Sequence, residues 1–289
     1  MKLHQAGAEI FVPDGMPEEE ALARTTHMAI GCHQDDIEIM AYDGVLKCFG
    51  EADKWLCGVT VTNGSGSPRD DLYADYSDEQ MMEVRRQEQK KAAYVGEYTA
   101  QVLLDFSSSQ VKETDKEVVM EDLKALIIAA RPGVIYTHNL ADKHDTHVGV
   151  TLRVIQALRE LPAELHPQAL YGCEVWRDLD WMVDDEQDAE AKYKIAFDVD
   201  AHPNLAAALL GVFDSQDCGG KRYDLASLGR RVAHATYYAS HEVDVTQAMI
   251  FAMNLTPLIQ DVSLGIGAYI DEQINRFAAD VSERIAKFE

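Results

Sequence analysis

The sequence predicts an α/β fold of the Rossmann-like, doubly wound kind, with a mostly parallel sheet and helices on both faces. Short apolar runs alternate with stretches of helical periodicity through the first two thirds of the chain. Alternation of that kind joins parallel strands by helical crossovers. No internal repeat, low-complexity tract or Gly/Ser linker interrupts it. The 289 residues are therefore expected to form one domain, with a core over about 26–216 and a helical C-terminal segment over about 246–289.

Each element has its own signal. Residues 26–31 are a short apolar run, followed by a polar turn and a short helix ending near Gly44. Residues 55–62, rich in Val and Thr, read as a buried strand closed by Asn63-Gly64. A polar loop with Gly66, Pro68 and Arg69 leads to a helix over about 77–95, ended by Gly96. Residues 101–106 are the third strand of this series. Residues 116–130 have apolar side chains at helical spacing and stop before Pro132. A fourth strand follows over 133–137, then a helix over 147–159 with Val148, Leu152, Ile155 and Leu158 on one face. Residues 170–175 and 193–198 read as later strands, 204–213 as a helix, and 246–288 as helical.

Charge narrows the function. With 50 acidic against 26 basic residues, the formal charge of −24 repels nucleic acid and anionic membrane, and neither is expected as a partner. It also works against a highly anionic substrate, unless a local basic group such as Arg69 compensates. The longest apolar stretches, such as 205–213, fall well short of the ~20 residues of a spanning helix. No apolar signal-peptide core follows Met1, so a cytoplasmic location is expected. Five scattered cysteines without a CxxC pair argue against a disulfide framework and a thiolate zinc knuckle.

In open doubly wound sheets, ligands bind beyond the carboxyl ends of the strands, where the strand order reverses. With the common order 3-2-1-4 that crevice lies between the first and fourth strands of the series. Two polar clusters follow those two strands immediately. One is Gly31-Cys32-His33-Gln34-Asp35-Asp36; the other runs from His138 through Asn139, Asp142, His144, Asp145 and Thr146 to His147. A catalytic zinc needs about three N or O ligands and an open position for water, whose pKa it lowers to ~7. A neighbouring carboxylate can then take the proton. Taken singly, these residues have plainer explanations. Asp35 and Asp36 could complement a helix dipole, His138 could be a satisfied polar group, and Asp145 or Thr146 could cap a helix. Two His/Asp clusters at strand ends that the fold places side by side point instead to a metal site.

At these residues the chain resembles the LmbE-like, or PIG-L, family of zinc-dependent N-deacetylases. The family's His-Pro-Asp-Asp-Glu signature is matched by His33-Gln34-Asp35-Asp36-Ile37. Its second signature is matched in spacing by His138, Asp142, His144 and His147. Val61-Thr62-Asn63-Gly64 and the pattern of Arg85, Arg86, Glu88 and Gly96 are also similar, and the likeness is good over about 26–155. The resemblance implies a Rossmann-like fold and one Zn2+ per chain, or another divalent metal, held by His33, Asp36 and His147. It implies Asp35 as general base, and His144 as the group that polarises the oxyanion and protonates the leaving amine. The implied substrate is a small N-acetylated (or N-acylated) amino sugar or its conjugate, with Arg69 as a candidate contact. A homo-oligomer is left open.

The sequence departs from the pattern at Gln34, Ile37 and Leu140, none of which is a ligand or base in it. Thr146 stands where the family has the Asp that orients the catalytic His; Asp142, in register, is assigned that task, with Asp145 as the alternative. Two other functions are weighed. His33-x-Asp35 with a distant His147 also fits a two-His, one-carboxylate iron oxygenase, though strand–helix alternation and the extra Asp36 speak against it. A binding protein that retains metal ligands without turnover is the other. A dinucleotide site is weaker still, because the first turn lacks GxGxxG.

Overall fold

The computed structural model describes residues 1–113, 117–183, 193–218 and 221–289. Within them, eight strands form one sheet: β1 (Glu9–Phe11), β2 (His27–Gly31), β3 (Leu56–Thr62), β4 (Ala100–Phe106), β5 (Val134–His138), β6 (Ala169–Cys173), β7 (Lys194–Asp198) and β8 (Met249–Asn254). The order is β1-β4-β3-β2-β5-β6-β8-β7. The block from β4 to β6 is parallel throughout, which is the predicted 3-2-1-4 order extended by one strand.

Side-chain alternation explains the two helical layers. Met28, Ile30 and Ile135 belong to one hydrophobic core, while Ala29 and Tyr136 belong to the other. Successive residues of a strand point to opposite faces, so a strand buried on both sides reads as a continuous apolar run. β3 is buried at all seven positions for this reason. The helix Asp78–Val95 starts on a capping box, in which Ser77 Oγ accepts from Gln80 N and Gln80 Oε1 accepts from Ser77 N.

The structure corrects several expectations. β1 was not anticipated; it is a three-residue antiparallel edge strand on β4. Residues 246–288 are not helical throughout. Met249–Asn254 inserts as β8, antiparallel between β6 and β7, and the helix Ile266–Ala286 begins only afterwards. Met249, Phe251 and Met253 fill one core and Ile250 and Ala252 the other, so this run is buried on two faces like a central strand. The helix after β5 spans Asp145–Glu160; of the predicted face Ile155 and Leu158 are buried, but Val148 and Leu152 are not, and His147, Val150, Thr151 and Val154 are buried instead. The helix Tyr223–Tyr237 had no counterpart in the sequence reading. The predicted start of a helix at residue 116 lies outside the described residues; the helix is Val118–Ala130. Among the described residues no helix is long and apolar enough to cross a membrane.

Candidate metal centre

The chain runs from β2 through β3 to β4 on one side, then crosses to β5 on the other side of β2. The carboxyl ends of β2 and β5 are therefore the switch point, and both polar clusters sit there. The turn after β2 is tight: a Cβ on Gly31 would lie 3.1 Å from Asp36 Cβ and 3.1 Å from Ile37 Cγ1. Asp35 takes a left-handed backbone (φ 92°) before the helix Asp36–Met40 begins. That turn folds Asp36 back, so that its Oδ2 accepts the His33 backbone N–H at 2.6 Å.

Three imidazoles gather on the same carboxylate oxygen. Asp36 Oδ2 lies 3.3 Å from His33 Nδ1, 3.4 Å from His147 Nε2 and 3.4 Å from His138 Nε2. His33 Nδ1 and His147 Nε2 are 3.0 Å apart. His138, the last residue of β5, also accepts the Cys32 backbone N–H at 2.9 Å and so ties the two strand ends together. Candidate ligand atoms of Cys32, His33, Asp36 and His147 all lie within 4.8 Å of one another, and those of His138, Asp142 and His147 form a second, overlapping group.

The electrostatics suit a cation. Burial opposes ionisation of Asp36, yet His147 and His138 hold its carboxyl well below the usual range. Burial pushes His147 down to about 4, which leaves its imidazole neutral and able to ligate. Burial also disfavours a charged His33, but Cys32 and Asp36 hold it well above its usual value. A buried carboxylate oxygen within 3.4 Å of three imidazole nitrogens is an N/O donor set that fits a divalent ion such as zinc.

Asp35 belongs to the same turn but faces a different environment. Its Oδ2 accepts from Arg85 Nη2 at 2.8 Å, and its backbone N–H donates to Gln89 Oε1 at 3.3 Å. Arg85 is itself buried, bonded to Glu88 at 2.7 Å and to the Gln34 carbonyl. Glu88 in turn accepts from the backbone and hydroxyl of Ser215, 127 residues away in sequence. Burial raises the Asp35 carboxyl to about 7, against the pull of Arg85 and with a contribution from the charge of Asp36.

His144 precedes the helix Asp145–Glu160, its ring stacked on His147 at 4.6 Å and edge-on to His33 at 5.0 Å. Its Nδ1 is buried without a hydrogen-bond partner. Burial and His33 lower its pKa. The expectation that Asp142 orients this ring is not met. Asp142 Oδ1 accepts only the His144 backbone N–H, at 2.9 Å, whereas Oδ2 lies 3.5 Å from His147 Nδ1 and accepts the Trp176 N–H at 3.2 Å. Asp145 is exposed and makes no capping bond, and Thr146 lines the cavity.

His33, Asp35, Asp36 and His144 open on a cavity of about 540 Å3. Arg69 does not line it. Its guanidinium donates to Asp78 at 2.6 Å and to the Ser65 carbonyl, and its loop presents Gly64, Gly66, Ser67 and Pro68 to the cavity instead. Sequence reasoning missed Lys112, Trp176, Lys221, Tyr223 and Arg230 in the opposite walls. The helical spacing of Tyr223 and Arg230, with Ser227 between them also lining the cavity, is the one signal that could have grouped two of these residues.

Fold and site together define a Rossmann-like α/β protein with a His/Asp metal-type centre at its switch point. Residues 28–158 match the family model described as PIG-L: GlcNAc-PI de-N-acetylase. This segment, a little under half of the chain, resembles the PIG-L, or LmbE-like, family. Among solved structures it is similar to the N,N'-diacetylchitobiose deacetylase of Pyrococcus horikoshii, with 15% identity, a TM-score of 0.60, and 83% of this chain and 86% of that chain covered. It is also similar to GalB, the 4-carboxy-2-hydroxymuconate hydratase of Pseudomonas putida, with 13% identity, a TM-score of 0.57, and coverage of 80% and 95%. The A40926 pseudoaglycone deacetylase Dbv21 follows at 16% identity and a TM-score of 0.55, with coverage of 80% and 97%. At these identities the likeness is one of fold, and that fold serves a hydratase as well as deacetylases. No curated protein matches the chain in sequence.

Proposed function

We propose that the chain is a zinc-dependent hydrolase that removes the N-acetyl, or a similar N-acyl, group from a small amino sugar or its conjugate. The observation that carries this reading is the division of labour in one turn. Asp36 is committed to the imidazoles, while Asp35, next to it, is raised to about 7 and open to the cavity. The PIG-L match over residues 28–158 and the deacetylases among the solved structures support the amide as the bond broken.

In this reading His33, Asp36 and His147 hold one divalent ion. When bound, such an ion supplies Lewis-acid polarisation and lowers the pKa of water at the site. The chain's own residues do the rest. Arg85 fixes Asp35 through Oδ2 and leaves Oδ1 to take a proton, with a pKa suited to a base working near neutrality. Glu88 and Ser215 hold Arg85 in place, so the base cannot swing away. Asp142 steadies His147 from behind, at Nδ1. His144, with Nδ1 buried, would in its protonated form have Nε2–H to donate a hydrogen bond to the developing oxyanion and then a proton to the leaving amine, ending as a neutral imidazole. Gln34, the departure from the family's proline, packs its amide on the Thr62 carbonyl at 3.0 Å and holds the turn against β3.

The test is an amine-release screen over N-acetylated sugars, free and conjugated, with zinc-loaded protein. Release of amine and acetate in equal amounts, lost on chelation and restored by zinc, is the expected result. Turnover that instead requires oxygen and an oxo-acid would replace this reading with the iron-oxygenase one.

A further inference from the structure

The walls of the cavity carry the opposite charge to the chain as a whole. Among the described residues that line it, the only acids are Asp35 and Asp36, and both are committed, one to Arg85 and the other to the imidazoles. The bases are Arg85, Lys112, Lys221 and Arg230. Arg85 is neutralised by Asp35 and Glu88. The other three have no carboxylate partner among the described residues, although 50 acidic side chains are available to 26 basic ones. Elsewhere on the surface some bases find acids, as in Lys47 with Asp43, Lys124 with Glu160 and Arg276 with Glu272, and others, such as Lys54, Lys91 and Lys143, have none among the described residues; what sets these three apart is that they line one cavity.

What these three cations do instead is informative. Arg230 donates one Nη1 bond to the Val175 carbonyl at 2.5 Å, which orients the guanidinium without neutralising it. Lys221 stands over the Trp176 ring at 5.6 Å, and Trp176 meets Tyr223 edge-to-face at 5.9 Å. Lys112 ends the helix Ser108–Lys112 on the far wall. The buried Arg231, with Nε and Nη1 unpartnered, lines a recess that shares Ile39, Ser227 and Arg230 with the cavity and also holds Glu174, which is paired with His234 at 3.0 Å. Low-dielectric walls of one sign focus potential on whatever enters between them. An acidic protein that leaves cations unpaired around one cavity has there a place for an anion.

We propose that the substrate carries an anionic group, a carboxylate or a phosphate, bound by Lys221 and Arg230, with Lys112 adding its charge from the far wall, while its acylated nitrogen reaches the His/Asp centre. This rests on the hydrolase reading above and narrows it. The acidic balance of the sequence argued against an anionic ligand unless a local base compensates; the compensating bases are these three and not Arg69.

The test compares N-acetylglucosamine, its 6-phosphate, and the lactyl ether N-acetylmuramic acid, using zinc-loaded full chain. Amine release gives kcat/KM, and calorimetry with the three corresponding free amines gives affinity without turnover. At least one anionic compound is expected to exceed the neutral one about tenfold or more in kcat/KM, the scale of a charge-assisted contact. The advantage should sit in KM and shrink between low and high salt. The arm that shows it separates carboxylate from phosphate. Lys221→Gln and Arg230→Gln should bring the anionic-to-neutral ratio toward one, while the control Lys287→Gln, on the C-terminal helix, leaves the ratio as it is. Turnover of all three compounds at equal kcat/KM overturns the anion site and leaves the hydrolase reading standing. No turnover, with the anionic amines still bound about tenfold tighter and that preference lost in the variants, keeps the anion site and overturns the hydrolase reading. Equal binding without turnover overturns both.

Discussion

Asp142 serves His147 through its side chain and His144 through its backbone. Its Oδ2 lies 3.5 Å from His147 Nδ1, its Oδ1 accepts the His144 N–H at 2.9 Å, and the His144 ring receives nothing from it. His147 Nε2 meanwhile points at Asp36 and His33. Asp142, His147 and the candidate metal position thus lie in series, with the carboxylate 3.5 Å from a ring nitrogen that makes no hydrogen bond, where its charge would favour a proton on Nδ1 and leave Nε2 to ligate.

The first prediction follows from that series. Asp142→Asn should weaken metal affinity about 10–100-fold, the usual cost of losing such a partner. Competition with a chromophoric chelator measures it. Wild-type affinity in the variant, with an altered basic limb of the pH–rate profile, would return Asp142 to the role of orienting His144.

His144 invites a gain-of-function test. Burial and the nearby His33 lower its pKa, and its Nδ1 has no partner. Thr146→Asp puts a carboxylate two residues away, at a position that lines the same cavity. A carboxylate favours the protonated imidazole, so the pKa of His144 rises and the catalytic acid stays protonated to higher pH. The basic limb of kcat/KM should move upward. A limb that stays in place would show either that His144 is not the acid or that the new carboxylate does not reach it.

Base and ligand should separate cleanly in the first turn. Asp35→Asn is expected to retain the ion and lose turnover by ~10²–10⁴-fold, whereas Asp36→Asn, His33→Ala and His147→Ala should lose both. With Asp35 raised to about 7, activity should fall as the pH drops through that region and the base is protonated. A bound cation favours the carboxylate and shifts this limb lower, never higher. Metal analysis beside a pH–rate profile decides the matter, and retention of the ion by Asp36→Asn would exchange the two roles.

Glu38 gives a prediction about stability. It is buried, with Oε1 accepting from Tyr98 at 2.8 Å and Gln89 at 2.9 Å and Oε2 unpartnered. Burial raises its carboxyl from 4.5 to about 8. Below the lower value both the folded and the unfolded chain hold the proton. Between the two values the unfolded chain releases it and the folded chain does not, so stability falls with rising pH by at most about 1.4 kcal/mol per pH unit. Glu38→Gln cannot titrate, and its stability relative to the parent should improve from pH 5 to pH 8. Urea unfolding at the two pH values reads the difference, and parallel curves at both would refute the assignment.

Much of this was legible in the sequence because it is local. The strands before the site are apolar runs buried on both faces, the helix Asp78–Val95 begins at its capping box, and the two His/Asp clusters each lie within about ten residues. β8 escaped because an apolar run of six residues, read alone, suits helix and strand equally; only its place between β6 and β7 decides. The buried stripe of the helix Asp145–Glu160 was misjudged because Val148 and Leu152 are apolar enough to be core, and the packing partner chooses the face.

The sequence by itself determined the parallel order around β2, the juxtaposition of its end with that of β5, and the residue types that meet there. Those follow from periodicity and strand connectivity, which short segments encode. Only the tertiary structure decided which atom faces which: that Asp142 turns to His147, that Arg69 is spent on Asp78, and that Lys112 shares one cavity with Lys221 and Arg230, more than a hundred residues away. Hydrogen bonds and charge contacts act over a few ångströms, and the loops that bring these groups together carry no periodicity from which their direction could be read.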